Sequence, residues 1–240
     1  MPSEWIIVVF IPVVLAGSVA VLFWLFKSSA DPADRRRRGM AGLAQQLGWR
    51  YFGRAPEEAV ENLPACSLLQ RHGAKELHNL MADRGYNPQA VLFDCTSHQP
   101  RSTPDAGMPT SLHVVAACRM NAQDIPSFRV YQEDALGGPA GVKGLFRLES
   151  EDDRSPRRKL LFAGAPPERV APVVTPPVRT ALWSWERRGP RPVVEVTERW
   201  LVAHVEADPS GRRAQETGAA LIDYAERIVE ALEVRAERTE

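Results

Sequence analysis

The most pronounced pattern along the chain is a long apolar stretch near its start. Residues 5–26 read WIIVVFIPVVLAGSVAVLFWLF, 22 positions without a charged side chain. At about 1.5 Å per residue, a helix of this length measures roughly 33 Å, enough to cross the ~30 Å hydrocarbon core of a bilayer. Trp5 and Trp24 lie near its two ends, where aromatic side chains favour the membrane interface. The pattern predicts a single transmembrane helix.

The next stretch has the spacing of an amphipathic helix over residues 32–47. Asp31 followed by Pro32 is typical of an N-cap and a first helical position, and Gly48 is typical of a helix end. Apolar side chains recur between them at i, i+3, i+4 and i+7, namely Met40, Leu43, Ala44 and Leu47. We therefore expect a juxtamembrane helix directly after the span.

Beyond residue 48 the pattern changes to short apolar or alternating segments separated by turn residues, which is typical of strands. The predicted strands cover residues 76–84, 89–96, 111–120, 128–132, 145–149, 159–163, 180–186, 193–197 and 199–206. Because few helical segments intervene, consecutive strands are expected to pair antiparallel. A short helix is predicted near residues 167–170, within a proline-rich stretch.

The chain closes with a second amphipathic helix, predicted to begin near Asp208 and Pro209. Its apolar stripe consists of Leu221, Tyr224, Ala225, Ile228 and Leu232. The predicted fold class is α+β: a transmembrane helix, a juxtamembrane helix and a largely antiparallel sheet with the C-terminal helix packed on it. We divide the chain into an anchor at residues 1–27, a basic linker helix at 28–48 and a soluble domain at 49–240.

Charge alters this picture mainly at the end of the predicted span. The whole chain is neutral, with 30 basic and 30 acidic residues, so it offers no global attraction for nucleic acid. Basic residues are absent before the span, whereas Lys27 and the run Arg35, Arg36, Arg37 and Arg38 follow it. The positive-inside rule then predicts a single-pass protein of the cytoplasmic membrane, with its N-terminus outside and its C-terminal domain in the cytoplasm.

The four consecutive arginines fall on the predicted juxtamembrane helix. At ~100° per residue they fan around roughly 300°, which makes a collar rather than a one-sided patch. A helix that reads nucleic acid needs its basic residues on one face, so the collar disfavours that partner. Under a bilayer such side chains extend to anionic head groups. The sequence therefore predicts that Lys27 and Arg35 to Arg38 set topology and contact lipid, together with Trp5 and Trp24 at the interfaces.

Few side chains have a spacing that suggests catalysis or metal binding. Cys95 lies in LFDCTSH, next to Asp94 and three residues before His98, and these three are the candidate catalytic residues. On a strand, however, Cys95 and His98 point to opposite faces. Cys66, His72 and His78 lack a zinc-site spacing, and the odd count of three cysteines fits buried thiols in a reducing compartment. We predict no metal and no cofactor.

The order of features resembles a family of small, membrane-anchored bacterial proteins of unknown function that are common in actinobacterial-type genomes. The resemblance rests on the single span, the basic helix, Gly48-Trp49-x-Tyr51, the strand that ends at Phe93-Asp94, the long polar loop and the strand over residues 112–119. It implies the same architecture and brings no catalytic residues with it.

The functional prediction is a cytoplasmic, non-catalytic interaction module held at the membrane, with a protein partner of unknown identity. Two alternatives stay open. One is a membrane-tethered hydrolase or transferase that uses Cys95 or a histidine. The other is a domain that binds a small ligand or lipid in a cavity lined by Trp183 and Trp185.

Overall fold

A computed structural model describes residues 31–54, 63, 66–70, 75–83, 88–98, 110–122, 124–133, 142, 144–148, 159–185, 190–197 and 199–237 of the chain. The helices are α1 (Pro32–Leu47), α2 (Ser67–Gln70), α3 (Pro167–Val170), α4 (Pro176–Trp183) and α5 (Ala214–Glu237). The strands are β1 (Arg50–Arg54), β2 (Lys75–Ala82), β3 (Ala90–His98), β4 (Thr110–Arg119), β5 (Phe128–Glu133), β6 (Lys159–Gly164), β7 (Val193–Thr197) and β8 (Trp200–Glu206).

The eight strands form one sheet in the order β1-β2-β3-β4-β8-β7-β5-β6. Every neighbouring pair in this sheet runs antiparallel. The first four strands meander in chain order, after which β8 pairs with β4 and brings the second half of the sheet alongside. The predicted α+β class with a largely antiparallel sheet is confirmed.

One face of the sheet is covered by α1, α4 and α5, which enclose the main core. The stripe predicted for the last helix lies in this core: Leu221, Tyr224, Ala225, Ile228 and Leu232 are each at most 1% exposed. The opposite face carries a smaller apolar cluster with α2 against it, formed by residues such as Leu68, Phe93, Cys95, Val115 and Val202. Burial on both faces makes β3, β4 and β8 the centre of the molecule.

Helix α1 begins and ends where its sequence predicts. The Asp31 carboxylate accepts a hydrogen bond from the Ala33 N–H at 3.0 Å, which satisfies a donor that the helix leaves open. At the other end Gly48 has φ 67°, the left-handed conformation that glycine adopts without a Cβ clash. The short helix predicted near residues 167–170 is also present, as α3.

Other predicted elements differ. Residues 180–186, predicted as a strand, mostly belong to α4, because Pro176 and Pro177 start a helix that continues to Trp183. Of the strand predicted at 145–149, the described residues 145–148 form one bridge, between Phe146 and Phe162. The last helix begins at Ala214, several residues after the predicted start, since a turn occupies residues 209–213.

Among the described helices, none is long and apolar enough to cross a membrane. The predicted span at residues 5–26 and the predicted anchor at 1–27 lie outside the described residues.

Candidate functional site

A buried ion pair joins α1 to the sheet. Asp94 of β3 is 1% exposed and Arg36 of α1 is 5% exposed. The Arg36 Nε donates to Asp94 Oδ2 and its Nη2 donates to Asp94 Oδ1, both at 2.6 Å. This bidentate geometry suits the planar guanidinium and fixes the rotation of α1 over the sheet.

A bulge in β2 brings Asn79 into the same site. The register between β2 and β3 shifts between His78 and Met81, and Asn79 has φ 52°, a left-handed conformation that asparagine tolerates. Its Nδ2 donates to Asp94 Oδ2 at 2.7 Å, and its Oδ1 accepts from the Tyr51 hydroxyl at 2.6 Å. Burial raises the pKa of Tyr51, and the neighbouring Arg37 guanidinium opposes that rise. The Asp94 carboxylate is therefore held by three donated hydrogen bonds and serves as a structural acceptor.

A cavity of about 690 Å³ lies next to this network, between the start of α1 and strands β1 to β3. Its basic lining includes Arg37, Arg54 and His78, in addition to the paired Arg36. Asp31 and Asp34 also line it, but both lie at the N-terminus of α1, where the positive end of the helix dipole offsets their charge. The cavity lies where α1 begins, and its lining combines these charged side chains with apolar surface.

The predicted collar of four exposed arginines does not describe Arg36. This side chain is buried against Asp94, so it belongs to the fold and is not available to lipid. Arg35 donates to the Ser210 carbonyl at 3.1 Å, whereas Arg37 and Arg38 are exposed. Lys27, Trp5 and Trp24, the other residues predicted to contact lipid or the interface, lie outside the described residues.

A second buried carboxylate lies on the opposite face of the sheet. Glu195 of β7 is fully buried and accepts hydrogen bonds from both the backbone N–H and the hydroxyl of Ser67. Arg129 Nε lies 3.1 Å from Glu195 Oε2, and His204 Nε2 lies 3.3 Å from Glu195 Oε1. Burial alone would raise the pKa of Glu195, but the nearby His204 ring and the two hydrogen bonds from Ser67 outweigh it and lower the pKa to about 2.

This cluster contains a serine, a histidine and a glutamate but not the geometry of a hydrolase. In a catalytic triad the histidine lies between the serine and the acid, so that it can take the serine proton. Here Glu195 lies between Ser67 and His204, and the Ser67 hydroxyl donates to the carboxylate. All three side chains are buried, which also closes the serine to a substrate. The arrangement holds α2 against the sheet.

Cys95 and Asp94, two of the three candidate catalytic residues, lie on opposite faces of the sheet. Cys95 is fully buried in the apolar cluster on the α2 face, whereas Asp94 points to α1 on the other face. His98 is the last residue of β3, opposite Thr110. Among the described residues, no group of three or more His, Cys, Asp or Glu side chains is placed to hold a metal ion.

The aromatic residues considered as a cavity lining have a different role. Trp185 is 4% exposed and its ring meets the Tyr224 ring edge-on, with 5.4 Å between the centroids. The Tyr224 hydroxyl donates to the Leu182 carbonyl at 2.8 Å, which ties α5 to α4. Trp183 packs at the margin of the same core. In the described part of the chain, these rings pack against the core and against one another.

Comparison with known proteins gives a likeness in fold. No family model matches the chain, and no curated protein matches it. Among solved structures, the chain is similar to the crystal structure of the mycobacterial trehalose monomycolate transport factor A, TtfA, with a TM-score of 0.53 and 10% sequence identity. The similarity covers 83% of this chain and 95% of that structure.

Proposed function

We propose that the chain is a non-catalytic interaction module, held at the cytoplasmic face of the membrane by residues 5–26, that assists a membrane transport system. The observation that carries this proposal is the likeness in fold to a mycobacterial transport factor over 83% of the chain. The apolar stretch of 22 residues and the basic residues after it support the anchor and its orientation. The family resemblance of the sequence supports the same architecture.

The polar interior supports a non-catalytic role. The two buried carboxylates, Asp94 and Glu195, are each fully engaged with donors that hold a helix onto the sheet. The thiol proposed as a nucleophile, Cys95, is buried and faces away from Asp94. A hydrolase or transferase needs a nucleophile and a base within reach of each other and of substrate, and these residues do not provide that arrangement.

The test is in-cell photo-crosslinking with the full chain. A photo-reactive amino acid is placed at one exposed described position at a time, such as Glu168, Glu206 or Glu230, and covalent products are identified after membranes are solubilised. We expect a reproducible product with one membrane protein of a transport system, from a limited set of neighbouring positions. If no position gives a product above that of a membrane-span-only control, the proposal is wrong.

The cavity at the start of α1 supports a second candidate function, recognition of an anionic lipid head group. At most ~20 Å of extended chain separates the end of the predicted span from Pro32, so the cavity mouth lies within reach of the membrane surface. Arg37 and Arg54 line it with exposed guanidinium groups that match a phosphate. Arg36 is excluded from this role because Asp94 occupies it.

Soluble short-chain phosphatidylglycerol, short-chain phosphatidylcholine and inorganic phosphate test this second function. Binding to the full chain in neutral detergent is measured by titration calorimetry. We expect phosphatidylglycerol to bind at least fivefold more tightly than the other two, and Arg37→Gln with Arg54→Gln to abolish that preference. The matched control is Arg169→Gln with Arg199→Gln, two exposed arginines elsewhere. If inorganic phosphate binds as tightly as phosphatidylglycerol and phosphatidylcholine binds more weakly, the cavity recognises a free anion. If all three ligands bind with equal affinity, the function is excluded.

A further inference from the structure

A groove lies at the opposite end of α1 from the arginine run. It has a volume of about 530 Å³ and is formed where the second half of α5 crosses the ends of β3 and β4. Trp49, which follows α1, contributes an aromatic wall, and Val229 and Val234 of α5 contribute aliphatic surface. The two large apolar side chains that are exposed in the described part of the chain, Leu47 and Val234, are both at this end of the molecule.

The rim of this groove is acidic. Glu226, Glu230 and Glu233 follow one another on a single face of α5, and Asp83 faces them from the end of β2. Arg119 is the basic residue among the lining side chains. Four carboxylates against one guanidinium leave a local charge of about −3 in a molecule whose total formal charge is zero.

Two of the four carboxylates accept backbone hydrogen bonds within the described part of the fold. Glu233 accepts a hydrogen bond from the Asn121 N–H at 2.7 Å, and Asp83 accepts one from the Gln89 N–H at 2.9 Å. Glu226 and Glu230 project from the exposed side of α5. Burial raises the pKa of Glu226, and the nearby Asp223 and Asp83 raise it further. Burial also raises the pKa of the Cys118 thiol to about 12, with contributions from Glu226 and Asp83. Burial is the larger cause of both shifts, and the carboxylates that add to them belong to the same acidic rim.

We propose that this groove, defined by Trp49, Asp83, Arg119, Glu226, Glu230 and Val234, docks a Lys/Arg-rich segment with apolar residues from the cytoplasmic side of a membrane protein. The acidic rim matches the basic side chains, and Trp49 with the two valines matches the apolar ones. A cationic side chain over the Trp49 ring gains a further attraction. This inference rests on the proposed function, because it names the surface that the module uses.

The membrane explains why the partner is basic. Cytoplasmic loops and tails of membrane proteins are enriched in Lys and Arg close to their spans, by the positive-inside rule. A domain tethered on that side therefore meets basic segments at high effective concentration. An α1 of 16 residues places the groove roughly 24 Å from the start of the helix, a distance that about seven extended residues of a partner cover.

The experiment uses two labelled 14-residue peptides and the full chain in uncharged detergent. One peptide places arginine and leucine at helical spacing, and the other has glutamate in place of arginine. Binding is measured by fluorescence anisotropy at ~50 and ~200 mM salt. We expect the arginine peptide to bind, to weaken at least fivefold at the higher salt, and to bind at least tenfold more tightly than the glutamate peptide.

Variants separate the groove from general electrostatics. Glu226→Gln with Glu230→Gln is expected to weaken the binding of the arginine peptide at least tenfold. Val234→Ser is expected to weaken this binding about threefold. The control, Glu168→Gln with Glu206→Gln, makes the same change in net charge at exposed sites outside the groove and is expected to have less than a twofold effect. Glu226→Lys with Glu230→Lys is expected to bind the glutamate peptide instead. Equal losses in groove and control variants, or no gain in the lysine variant, overturn the proposal.

The outcomes distinguish this inference from the proposed function. If the full chain still gives its membrane crosslink after Glu226→Gln with Glu230→Gln, the proposed function stands and the groove is not its docking surface. If the arginine peptide binds with the predicted dependence but no membrane crosslink forms, the groove stands and the proposed function fails. Mutual crosslinking of two copies of the chain through position 234 would assign the groove to self-association and overturn the inference.

Discussion

The two buried carboxylates show how single residues determine which surfaces of the sheet carry helices. Asp94 faces α1 and is engaged by Arg36 and Asn79, whereas Glu195 faces α2 and is engaged by Ser67, with Arg129 and His204 close by. An ionised carboxylate without partners is costly in an apolar interior, so each of these residues selects one arrangement of its neighbours. Each therefore makes a prediction about stability.

Removal of one partner from the Arg36–Asp94 pair is expected to destabilise the fold strongly. Asp94→Asn leaves the guanidinium of Arg36 buried without a counter-charge, and we expect a loss of about 3–5 kcal/mol in the free energy of unfolding. Arg36→Met leaves the carboxylate unpaired, with a loss of the same order. Chemical denaturation of the full chain in detergent micelles, followed by tryptophan fluorescence, measures both.

The adjacent arginine provides the control for that pair. Arg38 belongs to the same run but is exposed, so Arg38→Gln is expected to change stability by less than about 0.5 kcal/mol. The double variant Arg36→Met with Asp94→Asn combines the two changes, removes both charges and is expected to lose less stability than the sum of the two single losses. A double variant with the sum of the two losses would show that the charges do not interact.

The lowered pKa of Glu195 predicts that the folded chain loses stability in acid. Its pKa is about 2 in the folded chain, compared with the ordinary value of 4.5. A depressed pKa contributes stability above pH 4.5, and this contribution is lost as the pH falls from 4.5 towards 2. Because a tenfold change in proton affinity corresponds to about 1.4 kcal/mol, this lowering of the pKa corresponds to a few kcal/mol of stability.

The measurement compares denaturation between pH 6 and pH 2 for the native chain and for Glu195→Gln. We expect the variant to be less stable at pH 6 and to lose less stability towards pH 2, because its side chain has no proton to gain. Glu206→Gln, at an exposed site on β8, serves as the control and is expected to follow the native curve. Parallel curves for the native chain and Glu195→Gln would contradict the prediction.

At the scale of elements, two glycines with the same backbone conformation test what positions α1. Gly48 ends the helix with φ 67°, and Gly211 lies in the turn before α5 with φ 68°. A Cβ at Gly48 would meet nothing within 4 Å, whereas a Cβ at Gly211 would lie 2.7 Å from the Pro32 carbonyl oxygen. Gly48→Ala is expected to cost about 1 kcal/mol for its conformation alone.

Gly211→Ala is expected to cost about 1–3 kcal/mol more than Gly48→Ala, because the start of α1 must move away from the turn. That movement displaces Arg36, whose Cβ would lie 2.9 Å from the new methyl group. Thermal unfolding of both variants measures the difference, and amide hydrogen exchange in residues 32–36 locates it. Equal losses would show that the turn does not hold α1.

The elements also show what sequence reasoning can reach. Both ends of α1 were predictable because Asp31, Pro32 and Gly48 act locally, through caps and dihedral preferences. Residues 180–186 were predicted wrongly because the alternation around Trp183 and Trp185 has the period of a strand. In the structure α4 buries one of its faces, and Trp185 lies just beyond its end, packed on Tyr224. Alternation over so few residues does not distinguish a strand from a short helix.

The site was less predictable than the elements because its partners are far apart in sequence. Arg36 and Asp94 are separated by 58 residues, and Ser67 and Glu195 by 128. A local signal did exist, since each carboxylate is a single charge inside an apolar strand, in VLFDC and in VVEVT. Such an isolated charge indicates a buried partner. The bulge at Asn79, which completes the first site, has no comparable signal in the sequence.

At the scale of the whole molecule, a net charge of zero conceals a separation of charge along α1. The exposed arginines and the cavity that Arg37 and Arg54 line lie where α1 begins, and the acidic groove lies beyond its end at Trp49. If residues 5–26 span the membrane as the sequence predicts, the basic end would face the anionic surface of the membrane and the acidic end would project away from it. This polarity agrees with a module that is oriented by lipid and binds a basic partner.

Membrane topology provides the last prediction, because the acidic groove meets basic loops only if the domain is cytoplasmic. A reporter fused after Glu240 is expected to give a cytoplasmic signal. Replacement of Arg35, Arg37 and Arg38 by glutamine, with Ser3→Lys and Glu4→Lys before the span, is expected to send a substantial fraction of chains across with the opposite orientation. Arg36 is left unchanged, so that the variant keeps its buried pair and a change in signal reports orientation instead of unfolding. An extracytoplasmic signal from the native chain would remove the reason for a basic partner, because loops on that side lack the excess of Lys and Arg.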